Sequence, residues 1–273
     1  MSDARAGADG PLLSVRNVVV RFGGVVALAG VSFDVGRHQI CGLIGPNGSG
    51  KTTLFNCISG IYRYAEGDIL FEGNSLKGEP RYRMAPLGIG RTFQNVALFS
   101  RLTVRDNILV GGHHLAHSGF AANALRLPIV RVEEAAARHR LRDVLDLLTL
   151  GDVADLPVGG LPFGTQKRVE LGRALMGAPK LLLLDEPAGG LNHSEVDGLS
   201  TLIREIGAHF DMSVLVVEHH MSMVMGISDK VVALEFGRKI ADGTPDEVRR
   251  EPEVIRAYLG GTADEERLHA GAA

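Results

Sequence analysis

The amino-acid sequence predicts an α/β fold in which an antiparallel β-subdomain and an α-helical subdomain accompany a parallel sheet. A valine-rich stretch, "LLSVRNVVVRFGGVVALAGVSFDV", is broken at "FGG" and predicts short antiparallel strands. The apolar runs in "HQICGLIG", "KLLLLDEP" and "MSVLVVEH" are typical of strands buried on both faces of a parallel sheet. From about Thr103 to Leu150, apolar residues recur every three or four positions, which predicts helices.

Composition places the chain among globular proteins. Of its 273 residues, 45% are hydrophobic and 22% are charged, and the mean hydropathy is +0.11. The net charge of −3 comes without a long basic run, so we expect no nucleic-acid partner. Because the sequence has neither the roughly 18 apolar residues of a spanning helix nor the apolar core of a signal peptide, we expect a cytoplasmic protein.

The chain divides into one folded region and two polar ends. We expect residues 1–11 to form a flexible N-terminus and residues 262–273 a flexible tail, because both are polar and aperiodic. Residues 12–261 then form a single domain, with the helical subdomain at about residues 95–165. Cys41 and Cys57 are expected to be small buried hydrophobes, and a redox pair is the alternative.

A glycine-rich loop follows the first predicted parallel strand. The stretch from Gly45 to Thr52 has the form G-x-x-x-x-G-K-[ST], and "KTTLFNCISG" after it predicts a helix closed by Gly60. Backbone N–H groups of such a loop, with the N-terminal end of the helix, bind polyphosphate. The predicted nucleotide-binding residues are consecutive: Gly45, Pro46, Asn47, Gly48, Ser49, Gly50, Lys51, Thr52 and Thr53.

Within this loop, two side chains have predicted roles in binding ATP and Mg²⁺. Lys51 reaches the terminal phosphates, and the Thr52 hydroxyl ligates the metal ion. The context of strand, loop and helix predicts a P-loop nucleoside triphosphatase core of the RecA-like type.

Two adjacent carboxylates end the strand in "LLLLDEP". Asp185 lies at the C-terminal tip of this strand, the edge at which open α/β sheets bind ligands, and can hold Mg²⁺ through water. Glu186 can polarise an attacking water. The alternative is that the two acids simply end a strand in solvent.

Five motifs in a fixed order identify a family. The glycine-rich loop, "RTFQN", "LPFGTQKRVELGRAL", "LLLLDEP" and "VEHHM" together resemble the ATP-binding cassette (ABC) ATPases over nearly the whole folded chain. The resemblance implies that Glu186 is the catalytic base and that His219 contacts the γ-phosphate. It implies further that Gln94 senses Mg²⁺ and the transport partner, and that Phe22 stacks on adenine. For Phe22 the alternative is a core aromatic on a β-hairpin.

Two further segments correspond to family motifs at the interface between two cassettes. The loop that communicates across the dimer comprises Ala188, Gly189, Gly190, Leu191 and Asn192. The signature segment, which covers the γ-phosphate bound by the other subunit, comprises Leu161, Pro162, Phe163, Gly164, Thr165 and Gln166. Here Pro162 replaces the usual serine, so that the serine hydroxyl is lost and backbone N–H groups remain to make the contact.

Longer stretches of the sequence resemble one particular group within this family. "GIGRTFQNVALFSRLTVRDNILVG", "EHHMSMVMGISDKV" and "GTPDEVRREPEVIRAYLG" are similar to the ATP-binding subunits of branched-chain amino-acid importers, although relatives commonly have aspartate where this chain has His220. Urea, amide and lipopolysaccharide transporters are alternatives within the family.

This resemblance implies a set of partners. A second cassette, identical or related, clamps two ATP molecules with this one, and two membrane permeases receive the motion near Gln94 to Thr103. A solute-binding protein acts indirectly, and the chain lies peripherally on the cytoplasmic face of the cell membrane.

Other readings of the sequence remain. A non-transport cassette ATPase would usually have two cassettes in one chain or a long coiled coil, and a P-loop kinase or GTPase would not explain "QKRVELGRAL". His113, His114 and His117 have a spacing compatible with zinc chelation, and a solvated loop is the favoured interpretation.

Overall fold

The structure is a computed structural model, and it describes residues 10–92, 97–116, 118, 122, 125 and 127–258. In chain order, the strands are β1 (Leu13–Phe22), β2 (Val25–Val35), β3 (Ile40–Ile44), β4 (Glu66–Phe71), β5 (Asn74–Ser75), β6 (Ile89–Arg91), β7 (Leu181–Asp185), β8 (Ser213–Val217), β9 (Lys230–Glu235) and β10 (Arg238–Gly243). The helices are α1 (Lys51–Ile58), α2 (Met84–Leu87), α3 (Val104–Val110), α4 (Pro128–Leu147), α5 (Phe163–Met176), α6 (His193–His209), α7 (Met221–Ile227) and α8 (Pro245–Arg250).

Two sheets organise these elements. An antiparallel sheet has the strand order β2-β1-β4-β5, and a second sheet has the order β10-β9-β3-β8-β7-β6. In the second sheet β9, β3, β8, β7 and β6 run parallel, and β10 pairs antiparallel with β9. The predicted fold class is therefore confirmed, including the antiparallel strands around the turn at Gly23 and Gly24.

Burial explains why the central strands are almost purely apolar. Every residue of β3, β7 and β8 is buried, because helices or the antiparallel sheet cover both faces. One apolar core joins the antiparallel sheet and α1 to one face of the parallel sheet. A second core joins the other face to the helices, including Ile108 of α3, Leu148 after α4 and Leu171 of α5.

The helical region corresponds to the predicted helical segments. Helices α3 and α4 lie between Thr103 and Leu150, and both pack against α5. Helix α5 runs continuously across residue 165, so the predicted end of the subdomain falls inside a helix. The expectations for residues 1–9 and 259–273 lie outside the described residues. Within the part of the chain that the structure describes, no helix is long and apolar enough to cross a membrane.

Both cysteines are buried free thiols, as the sequence predicts. Burial raises the pKa of Cys41 and of Cys57 from 9.0 to about 12. A raised thiol pKa means that the neutral form is favoured in the fold, so this contribution to stability is present below pH 9 and is lost as the pH rises towards 12.

Both cysteine thiols are expected to be unreactive towards a thiol reagent in the native protein. At pH 8, Ellman's reagent should titrate neither thiol of the folded chain, because only about one thiol in 10⁴ is ionised and neither is accessible. Both thiols should react in guanidinium chloride. Rapid native reaction of either thiol would contradict the burial of these residues.

Candidate nucleotide-binding and hydrolysis site

The C-terminal ends of three adjacent strands form the candidate site. In the register of the sheet, Val217 of β8 pairs with Leu43 of β3 on one side and with Asp185 of β7 on the other. Because the three strands end at the same level, the glycine-rich loop, the two acids at the end of β7 and the histidines after β8 meet at one edge. This is the edge at which open α/β sheets bind ligands.

The glycine-rich loop packs closely against the hairpin of β9 and β10. A Cβ at Gly45 would lie 2.2 Å from the Leu234 carbonyl oxygen, and Gly50 adopts a left-handed φ of 102°. Both positions therefore require glycine. Asn47 and Gly48 at the loop tip are exposed, and Pro46 is half-buried. The buried Ser49 hydroxyl has no hydrogen-bond partner among the described residues, as expected of a polar group that faces a ligand site.

Lys51 spans the loop at the first position of α1. Its Nζ donates hydrogen bonds to the carbonyl oxygens of Gly45 at 2.6 Å and Pro46 at 3.0 Å. Burial lowers the pKa of Lys51, and the charge of Glu186 acts in the opposite direction. The amine is thus held inside the loop where a phosphate would be bound, and Thr52 beside it is exposed while Thr53 is half-buried.

Asp185 is held by an arginine for which the sequence indicates no role. Arg91 Nη2 lies 2.8 Å from Asp185 Oδ2, and the two side chains are only 12% and 6% exposed. Arg91 Nη1 also donates to Asn56 Oδ1 and Ser59 Oγ on α1 and just after it. This ion pair fixes the Asp185 side chain between β6, β7 and α1. The arginine appears in "GIGRTF", but only the fold shows that β6 borders β7.

Glu186 has a strained backbone. Its φ of 47° is in the left-handed region, which a residue with a Cβ rarely adopts. The Glu186 N–H donates to the Val217 carbonyl at 2.9 Å, and its own carbonyl accepts from Gly189. Such strain persists where surrounding contacts hold it, and it is concentrated at functional sites.

Glu218 and the two histidines after it form a cluster. Each offers one possible ligand atom, and the three atoms lie within 4.8 Å of one another. Magnesium prefers oxygen ligands, so the exposed Thr52 hydroxyl and the Asp185 carboxylate fit Mg²⁺ better than this cluster does. His219 is exposed and lies beside His220, with ring centroids 4.4 Å apart.

The signature segment and the dimer loop lie against each other. Pro162 precedes α5 with an extended backbone, and its carbonyl accepts from the N–H groups of Thr165 and Gln166 at 3.0 Å. A Cβ at Gly190 would lie 3.1 Å from the Phe163 ring, and one at Gly164 would lie 3.4 Å from Glu195. The Gln166 amide donates to the Leu161 carbonyl at 2.8 Å.

Helix α5 has no acidic residue in its first turn, and the acidic group beside its N-terminal end is Glu195 of α6. In the dimer loop, Ala188 is buried, Gly189 and Leu191 are half-buried, and Gly190 and Asn192 are exposed. Asn192 caps α6 by accepting from Glu195 N–H.

Phe22 lies at the end of β1 with its side chain accessible. It is 48% exposed, so it is not a core aromatic, and it packs edge to face on Tyr62 with ring centroids 5.2 Å apart. Tyr62, for which the sequence indicates no role, is 38% exposed. The two rings together offer an apolar platform for a base.

Replacing Phe22 with alanine should raise the KM for ATP about tenfold, because stacking of a base on an aromatic ring contributes about 1–3 kcal/mol. The value of kcat should change little. Tyr82→Ala, which removes a ring that is 78% exposed elsewhere, is the matched control. Equal KM values for Phe22→Ala and wild type would refute the adenine platform.

Two predicted groups lie wholly or partly outside the described residues. Gln94 belongs to residues 93–96, and His117 of the three-histidine group is also outside them. His113 and His114 lie on a short 3₁₀ turn.

The glycine-rich loop, its lysine and the two acids define a class: the chain is a P-loop nucleoside triphosphatase. A family described as "ABC transporter" matches residues 28–189, and one described as "Branched-chain amino acid ATP-binding cassette transporter" matches residues 238–264.

Comparison with known proteins also indicates an ABC transporter ATP-binding protein. The chain is 41% identical over 250 residues to the high-affinity branched-chain amino acid transport ATP-binding proteins BraF of Pseudomonas aeruginosa and LivG of Escherichia coli. Each match covers 92% of this chain and 98% of the relative. The ADP conformation of MJ1267, an ATP-binding cassette of an ABC transporter, is similar with a TM-score of 0.78 and 31% identity, covering 92% of this chain and 99% of that one. The chain belongs to the ABC transporter family and is one of its ATP-hydrolysing, ATP-binding subunits.

Proposed function

We propose that this chain is the ATPase subunit of an importer for branched-chain amino acids, which acts at the cytoplasmic face of the cell membrane. The assignment of the cargo depends mainly on the second family match, to residues 238–264. This segment lies outside the nucleotide-binding motifs that ABC transporters share. The names of the relatives with 41% identity support the same cargo.

ATP binding in this proposal depends on the loop and on α1. Backbone N–H groups of residues 45–51 and the positive end of α1 hold the phosphates, Lys51 neutralises their charge, and Phe22 supports the base. Thr52 and Asp185 would hold Mg²⁺, and Gln94 is its further predicted ligand. When bound, Mg²⁺ neutralises phosphate charge and favours departure of the leaving group.

Hydrolysis uses Glu186 and His219. The Glu186 carboxylate, on a backbone held in the left-handed region, accepts a proton from the attacking water, and His219 contacts the γ-phosphate and orients that water. The active site is completed by a second cassette, identical or related. Residues 161–166 of each cassette would cover the γ-phosphate bound by the other, with the N-terminal end of α5 supplying N–H groups in place of a serine hydroxyl.

The surface that meets two membrane permeases includes residues 97–103. Phe99 is 53% exposed and Leu102 39%, and these residues form an apolar tip. The fully buried Asn107 ties the loop to α3, because it accepts from the Phe99 N–H and donates to the carbonyls of Phe99, Leu102 and Thr103. The solute-binding protein would deliver cargo to the permeases and would not touch this chain.

Uptake in the source cell tests the proposal. Deleting the chain should abolish ATP-driven uptake of radiolabelled leucine, isoleucine and valine; wild type should restore it, whereas Glu186→Gln should not. Normal uptake of all three amino acids in the deletion strain, with reduced uptake of urea or another solute, would overturn the assigned cargo.

A further inference from the structure

Glu218 is a fully buried carboxylate at the end of β8, with 0% exposure. One oxygen, Oε1, accepts a hydrogen bond from the Ala188 N–H at 2.7 Å. The other oxygen, Oε2, accepts from the N–H groups of His219 at 2.9 Å and His220 at 3.2 Å. Both oxygens of one buried carboxylate are therefore bonded to backbone N–H groups.

Two separate segments are joined by these hydrogen bonds. Ala188 is the first residue of the dimer loop, and His219 is the predicted γ-phosphate contact. The side chains of both histidines also face Oε2, with Nδ1 of His220 at 3.0 Å and Nδ1 of His219 at 3.6 Å. Because a buried carboxylate requires such donors, neither segment can shift without disturbing the hydrogen bonds of the other.

We propose that Glu218 is a positioning residue that holds the dimer loop and His219 in fixed positions relative to each other. Contact of the partner cassette with residues 188–192 is transmitted through the Glu218 carboxylate to His219, and hydrolysis is thereby coupled to closure of the dimer. This inference rests on the proposed function, in which residues 188–192 meet a second cassette.

Glu218→Gln tests the proposal because an amide has one accepting end. It can accept from Ala188 or from the two histidine N–H groups, but its NH₂ group then faces donors at the other end. We expect kcat for MgATP to fall about 10–100-fold, as for a misplaced catalytic group, with little change in the KM for ATP. Hydrogen exchange of residues 188–192 should become faster.

Asp68→Asn is the matched control. The Asp68 carboxylate also accepts three hydrogen bonds, from Tyr64 Oη, Ile69 N–H and Ser75 Oγ, but it lies in the antiparallel sheet. This variant should lose stability without losing kcat. Glu218→Asp keeps the charge on a shorter side chain, and it should have a kcat between those of Glu218→Gln and wild type; it also serves if the glutamine variant does not fold.

Three outcomes would overturn the inference: a kcat within twofold of wild type for both Glu218 variants, unchanged exchange of residues 188–192, or an equal loss of kcat in Asp68→Asn. Failure of the proposed function gives a different result, because deletion of the chain would then leave branched-chain amino-acid uptake normal, whatever the kcat of the Glu218 variants.

Discussion

Glu186→Gln is expected to lower kcat for MgATP hydrolysis about 10²–10⁴-fold, the range for loss of a general base. The amide keeps the size of the side chain but cannot accept the proton of the attacking water. Binding of ATP should persist, because the phosphates are held by residues 45–51 and by α1 rather than by this carboxylate. The variant should therefore accumulate as an ATP-bound complex with its partner cassette.

Steady-state phosphate release and equilibrium binding of a fluorescent ATP analogue measure the two effects separately. Glu235→Gln is a matched control because Glu235 also ends a strand, β9, at the same edge of the sheet. It should hydrolyse ATP at close to the wild-type rate. A Glu186→Gln protein with near wild-type kcat would exclude Glu186 as the base.

Asp185→Asn is expected to impair both folding stability and the response to Mg²⁺. The buried Arg91 would lose its countercharge at 2.8 Å, and breaking a buried ion pair costs about 3 kcal/mol in the free energy of unfolding. The neutral amide is also a weaker partner for a divalent cation, so the Mg²⁺ concentration for half-maximal hydrolysis should rise.

Urea unfolding without nucleotide measures the loss of stability in Asp185→Asn. Titration of the ATPase rate with Mg²⁺ measures the change in its response to the metal ion. Asp34→Asn is the control, because its ion pair with Arg16 is 3.0 Å long but 41–49% exposed. Its loss should cost less than about 1 kcal/mol. Equal destabilisation by the two variants would contradict the role of burial at Asp185.

The fold can be predicted from the sequence where a pattern is compatible with only one type of secondary structure. Short runs such as "KLLLLDEP" lack a polar face, so they form central parallel strands, and the break at Gly23 and Gly24 requires a hairpin. The end of the helical subdomain is harder to predict, because α5 packs apolar residues against the helical region and the sheet core alike. No local signal divides that helix.

Some residues of the candidate site can be predicted from local sequence, and others cannot. The glycine-rich loop and Asp185 are adjacent to strand signals, and their positions follow from local patterns. Arg91, Tyr62 and Glu218 act through partners distant in sequence, such as Ala188, which is 30 residues from Glu218. The packing of the two sheets and of α1 brings them to the site, and for Glu218 the acid beside the histidines in "VEHH" was a usable signal.

The most direct measurement is to purify the tagged chain from gently solubilised membranes and identify the proteins that accompany it. We expect two polytopic membrane proteins and either a second cassette or a second copy of this chain, in a complex whose ATPase activity is lost in Glu186→Gln. Recovery with ribosomal or DNA-bound proteins and no membrane protein would contradict its role as the ATPase of an importer.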